Sequence, residues 1–137
     1  LVEVVSTVVV DPAQVDRAAA FAADTLGKTV VRAKDRAGFI VNKLLCPYIF
    51  GAIAMYEEGF ATKEDIDAAM VNGAGHPMGP LTLSDLIGND TMLAVADAFM
   101  AEYGDPRYAP PPLLRRMVEA GLLGRKSGRG FYDYETP

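Results

Sequence analysis

Apolar and polar positions change rhythm along this chain. Leu1 to Val10 alternates and is rich in Val and Thr, which predicts a strand with Leu1, Glu3, Val5 and Thr7 on one face. Asp11-Pro12 then supplies a helix N-cap and a proline at the first helical position. Val15, Ala18, Ala19, Ala22 and Leu26 share one face of a helix that ends at Gly27. Lys28 to Ala33 returns as a short strand. Two strands are not a stable sheet by themselves. Residues 1–36 are therefore expected to be the C-terminal edge of a larger Rossmann-type α/β domain. The chain opens at Leu1, without Met and directly in a strand pattern, so further chain is expected upstream.

After Lys34-Asp35-Arg36 the period becomes helical. A long helix is predicted from about Phe39 to Glu58, kinked or broken at Pro47 and closed by Gly59. Thr62-Lys63-Glu64-Asp65 is a capping box with Asp in place of Glu, opening a helix towards Asn72. Pro80 opens a short helix to Ile87. Asn89 to Tyr103 forms another, with Met92, Val95, Ala96 and Phe99 on one face, and Pro111-Pro112 starts a last one through Glu119. The aromatic, glycine-rich tail Gly124–Tyr134 is expected to fold back. The predicted class is mostly α: an all-α domain over 37–137, preceded by a strand-helix-strand remnant.

Composition narrows the function. The net charge of -5 argues against nucleic acid, which calls for a basic stripe. No apolar run approaches the ~18 residues of a membrane span, and no leader-like segment is present, so no membrane partner is expected. The single Cys46 cannot form an internal disulfide, which favours a reducing, cytoplasmic setting. Arg115, Arg116, Arg125, Lys126 and Arg129 gather near the C-terminus, as either a patch for a phosphorylated ligand or a solvated face.

Several residues invite chemistry. Asn42 is a neutral amide within the apolar run Gly38-Phe39-Ile40-Val41-Asn42-Lys43-Leu44-Leu45, and an amide lodged in apolar surroundings needs partners or a ligand. Glu3 interrupts an apolar strand and needs a cationic or donor partner unless it lies on a solvated edge. His76, the single histidine, has neither a nucleophile partner nor a second metal-ligating His, so it reads as a pocket wall; no metal site is expected. Gly73, Gly75 and Gly79 follow a helix and are spaced wrongly for a dinucleotide loop, and Gly124-Arg125-Lys126-Ser127-Gly128 fails as a phosphate loop. Asp85 and Asp90 form a conceivable carboxylate pair, but Asp85 is assigned to a solvated helix face and Asp90 to a helix N-terminus.

Leu1-Val2-Glu3-Val4-Val5, the Gly38–Leu45 run, Tyr56-Glu57-Glu58-Gly59, His76-Pro77-Met78-Gly79-Pro80 and Gly124-Arg125-Lys126-Ser127-Gly128-Arg129-Gly130-Phe131-Tyr132 follow one another in order. Together they resemble the C-terminal half of the 3-hydroxyacyl-CoA dehydrogenases, nearest the bacterial 3-hydroxybutyryl-CoA enzymes. The resemblance implies an N-terminal Rossmann-type domain that binds NAD and an all-α domain that completes the acyl-CoA cleft and forms a homodimer. It implies hydride transfer between C3 of the acyl thioester and NAD, in fatty acid metabolism. Glu3 matches a Glu that orients a catalytic His, itself expected upstream of Leu1. Asn42 matches an active-site Asn that hydrogen-bonds near the reacting carbonyl. Lys126 matches a Lys that reaches NAD, and Pro77 and Met78 would help line the acyl pocket. Loss of a general base costs ~10²–10⁴-fold, so these residues alone are expected to be inactive. Two alternatives remain: a stand-alone helical dimerisation or acyl-CoA-binding module, and a sister dehydrogenase acting on hydroxy acids without CoA.

Overall fold

A computed structural model describes residues 1–134. Six α-helices, three short π- or 3₁₀-helical segments and one two-stranded parallel sheet make up the regular structure of these residues, and the chain divides into two compact units, Leu1–Leu44 and Leu45 onward.

In the first unit, strand β1 (Val2–Ser6) pairs in parallel with β2 (Val30–Lys34), Glu3 opposite Val31. Helix α1 (Pro12–Ala20) makes the crossover, since a parallel pair cannot be joined by a tight turn. Asp11 caps it as expected, its carboxylate accepting from the Ala13 N–H at 2.9 Å. A π-helical turn (Phe21–Thr25) extends α1 before Gly27 takes a left-handed φ of 61°. Val4, Val15 and Ala19 form a small core with Val2, Val10 and Val30 against it. The predicted first strand is too long: it ends at Ser6, and Val8 and Val9 project from a turn, fully exposed. Valine composition suggests a strand there, but none of the described residues pairs with that segment as a strand. Ala18 and Leu26 are exposed as well, so the buried face of α1 is narrower than the sequence periodicity suggested.

Helix α2 (Val41–Glu57) begins in the first unit and continues into the second. Pro47 lies inside it without ending it. The second unit adds α3 (Lys63–Ala74), α4 (Pro80–Ile87), α5 (Asn89–Tyr103) and α6 (Pro112–Glu119). Thr62 caps α3 reciprocally with Asp65, accepting from its N–H at 3.1 Å and donating to its carboxylate at 2.7 Å. That helix runs two residues past the expected Asn72, to Ala74, and Gly75 caps it in the left-handed region. Ile49, Ile53, Leu81, Met92, Phe99 and Leu114 are almost wholly buried, and Phe99 packs edge-on to Tyr108 at 5.1 Å.

Helix α4 starts at Gly79, which has no side chain to cap it. Asp67, buried on α3, does so instead: its carboxylate accepts from Leu81 N–H at 2.8 Å, Thr82 N–H at 2.9 Å and the Thr82 hydroxyl at 2.6 Å. The approach leaves no room at residue 79, where any Cβ would overlap the side chain and Cα of Asp67.

Candidate active-site residues and the C-terminal clasp

The first candidate cluster lies within Leu1–Leu44. The Glu3 carboxylate leans from β1 to the start of α2, where one oxygen accepts from Ile40 N–H at 2.9 Å and Val41 N–H at 3.2 Å. These are donors that a helix start leaves without intrahelical partners. The donor partners expected for Glu3 are thus on the same chain, and they are backbone amides. Gly38 and Phe39 form the turn before the helix with φ of 81° and 45°. Phe39 is the one non-glycine with positive φ among the described residues. Such a conformation costs of order 1–3 kcal/mol and persists where neighbours enforce it, often at functional sites.

Asn42 follows directly, in the first turn of α2. It is not lodged in apolar surroundings: it is exposed and its amide has no partner among the described residues. The run around it is itself exposed, Leu44 at 72 % and Phe39 and Ile40 at 40 % each. An apolar sequence context does not mean burial here, because the apolar side chains around Asn42 have little to pack against.

The second cluster lies in the helical unit. Asp85 corrects the sequence reading outright. It is 1 % exposed, and its carboxylate accepts from Phe131 N–H at 2.9 Å, Tyr132 N–H at 3.0 Å, the Tyr134 hydroxyl at 2.9 Å and the Asn89 amide at 3.1 Å. Asp is usually exposed, so residue type by itself points to solvent. Its spacing four residues after the buried Leu81 was the signal that placed it on the inner face.

Lys126 sits in a short 3₁₀ turn (Arg125–Ser127) of the tail. Its ammonium pairs with Asp90 in the first turn of α5 and holds that carboxyl below its usual range, and Gly88 lies against the Lys126 tip. The surrounding basic patch is partly neutralised, since Arg115 pairs with Asp97 at 3.0 Å and Arg129 with Asp133 at 2.8 Å. His76 meets the Tyr48 ring edge-on at 5.2 Å, and Tyr48 has a buried hydroxyl without a hydrogen-bond partner among the described residues. Pro77 is exposed and Met78 half-buried beside it. Burial pushes the Cys46 thiol up to about 11, so it stays protonated and unreactive at neutral pH. No cluster of metal-ligating side chains occurs among the described residues.

Comparison with known proteins gives this geometry a context. The pattern of the family described as "3-hydroxyacyl-CoA dehydrogenase, C-terminal domain" matches residues 38–134. A 3-hydroxybutyryl-CoA dehydrogenase of Mycobacterium tuberculosis is 60% identical over 134 residues, covering 98% of this chain and 47% of that protein. The chain thus spans about half the length of the curated relatives it matches. The crystal structure of M. tuberculosis FadB2 superposes with a TM-score of 0.95 at 59% identity, over 97% of this chain and 47% of that one. The (S)-3-hydroxybutyryl-CoA dehydrogenase PaaH1 of Ralstonia eutropha gives 0.93 at 44% identity, over 99% and 48%. With the family pattern over most of its length and a mostly helical fold shared with these enzymes, the chain belongs to the 3-hydroxyacyl-CoA dehydrogenases, as part of their C-terminal half.

Proposed function

We propose that this chain works as the C-terminal half of an NAD-dependent 3-hydroxybutyryl-CoA dehydrogenase, interconverting 3-hydroxyacyl-CoA and 3-oxoacyl-CoA in fatty acid metabolism. The observation that carries the reading is the cluster at the start of α2. There Glu3 is held by two backbone donors while Asn42, one residue further on, presents an amide to solvent.

The described residues fit one edge of the dinucleotide and not its cradle. The β1–α1 turn, Ser6-Thr7-Val8-Val9-Val10-Asp11-Pro12, contains no glycine, and its carboxylate already caps α1. A pyrophosphate loop needs glycines and free amides. Lys126 does suit an anionic phosphate: it is a partly exposed ammonium on a turn closed by its own hydrogen bonds. NAD, when bound, accepts or returns the hydride at C3 of the acyl chain. Glu3 has a second carboxylate oxygen with which to orient the imidazole that takes the hydroxyl proton. The Asn42 amide donates to the C3 oxygen, where negative charge develops. Pro77 and Met78 line the acyl pocket.

The enzyme acts as a homodimer in the cytoplasm. An apolar groove between α2 and α3, lined by Tyr48, Gly51, Met55, Ala69 and Met70, supports the first assignment. Among the described residues no helix is long and apolar enough to cross a membrane.

The test is complementation. Residues 1–137 joined to the N-terminal half of the M. tuberculosis relative should oxidise NADH with acetoacetyl-CoA, and residues 1–137 alone should not. A folded chimera without that activity, or activity from residues 1–137 alone, would overturn the reading.

A further inference from the structure

We infer that Asp85 is a positioning residue for the cofactor, because its buried carboxylate clamps the base of the loop whose tip carries Lys126. The inference rests on the proposed contact between Lys126 and the dinucleotide.

The tail leaves α6, turns through Arg125–Ser127 and returns. Gly124 N–H donates to Arg129 C=O at 2.9 Å and Tyr134 N–H to Gly128 C=O at 2.9 Å, which closes the loop on itself. Nothing in that ladder ties the loop to the helices. Asp85 does at its base, through Phe131 N–H, Tyr132 N–H and the Tyr134 hydroxyl, while from α3 Lys63 donates to Phe131 C=O at 2.7 Å and Asp67 accepts from the Tyr132 hydroxyl at 3.0 Å. Both ends of the loop press on it: a Cβ at Gly124 would overlap the Asp85 backbone, and one at Gly130 its carboxylate. Asn89 extends the clasp, donating to Asp85 at 3.1 Å and to Leu122 C=O at 2.9 Å while accepting from the Ser84 hydroxyl at 2.7 Å. Across the Gly88 turn, Asp90 receives the Lys126 ammonium.

Asp85 and Asp90 thus divide the task. The buried carboxylate sets where the loop sits, through three loop donors in fixed geometry, with the Asn89 amide of α5 bracing it. The half-buried one pairs with the ammonium, and an ion pair open to solvent orders a side chain only weakly. A lysine stem has four rotatable carbons and orders poorly by itself. A loop fixed by Asp85 delivers its charge to one place and lowers the ordering cost of binding a phosphate there.

The test is NADH affinity, by fluorescence titration, in the full-length protein containing this chain. Asp85→Asn puts an amide against N–H donors. It should weaken NADH binding by about 2- to 5-fold, the worth of one solvent-exposed charge contact, with the acetoacetyl-CoA KM unchanged. In a Lys126→Met background the same change should add nothing, since a residue that acts through Lys126 has nothing left to position. Tyr134→Phe, which removes a single donor and spares the fold, should move affinity the same way, by about 2-fold. An unchanged NADH affinity in Asp85→Asn or Tyr134→Phe, or a full Asp85→Asn effect without Lys126, would overturn the inference alone. A native protein that binds no NADH would overturn the proposed function with it.

Discussion

Glu3 accepts the backbone N–H of Ile40 at 2.9 Å, 37 residues further along the chain. With Val41 N–H at 3.2 Å, this makes a strand residue the cap of α2. One oxygen is a structural latch, and the other is the one proposed above to orient an imidazole. Glu3→Ala should lower stability by about 1–2 kcal/mol, as loss of a helix cap does. Glu3→Gln keeps an acceptor and should cost less in stability, while kcat falls by ~10²-fold or more with the imidazole misoriented. Urea unfolding and steady-state kinetics on the two variants separate the roles. Equal losses in both measurements for both variants would leave Glu3 a cap only.

Asn42 gives the opposite pattern. Its amide is exposed and without a partner among the described residues, so Asn42→Ala should change stability by less than about 0.5 kcal/mol. If the amide meets developing charge on the substrate, kcat falls about 10²–10³-fold. A variant that keeps near-native kcat would remove Asn42 from the reaction.

Gly79 and Asp67 should fail together. Gly79→Ala drives a methyl into the Asp67 side chain and should destabilise by about 1–3 kcal/mol. Asp67→Ala strips acceptors from the Leu81 and Thr82 amides and from the Tyr132 hydroxyl at 3.0 Å, and should cost about 2–4 kcal/mol. Because both act at one helix start, the double variant should cost less than the sum of the singles. Additive losses in thermal or urea unfolding would show that the two sites are independent.

Alkaline stability should depend on the tail tyrosines. Burial, then the hydrogen bond to Asp85, pushes the Tyr134 hydroxyl up to about 12 from its usual 10.0. Burial and the Asp67 carboxylate push Tyr132 up further. The folded state therefore holds these protons more tightly than the unfolded chain. Their contribution is whole below the ordinary phenol range and is lost as pH rises through the folded values. The Tm should fall between about pH 10 and 12, and less steeply in the Tyr132→Phe/Tyr134→Phe protein. Parallel Tm curves for the two would count against it.

Much of this architecture was legible in the sequence, because the signals are local. Asp11-Pro12, the Thr62–Asp65 box and Pro112 each begin a helix through groups within a few residues, and α4 and α5 have the predicted limits. The order of motifs was enough to point to the dehydrogenase family.

Tertiary structure alone decided where the polar groups went. Sequence placed Asp85 in solvent and Asn42 in apolar surroundings; the folded chain does the reverse. The strand at Leu1 and the helix at Val41 are separate local events, and only folding brings Glu3 within hydrogen-bond reach of Ile40. Secondary structure follows from neighbours a few residues apart, which the sequence displays. Burial and hydrogen-bond partners depend on groups tens of residues away, as between Asp85 and Tyr134, and those come together only when the helices pack.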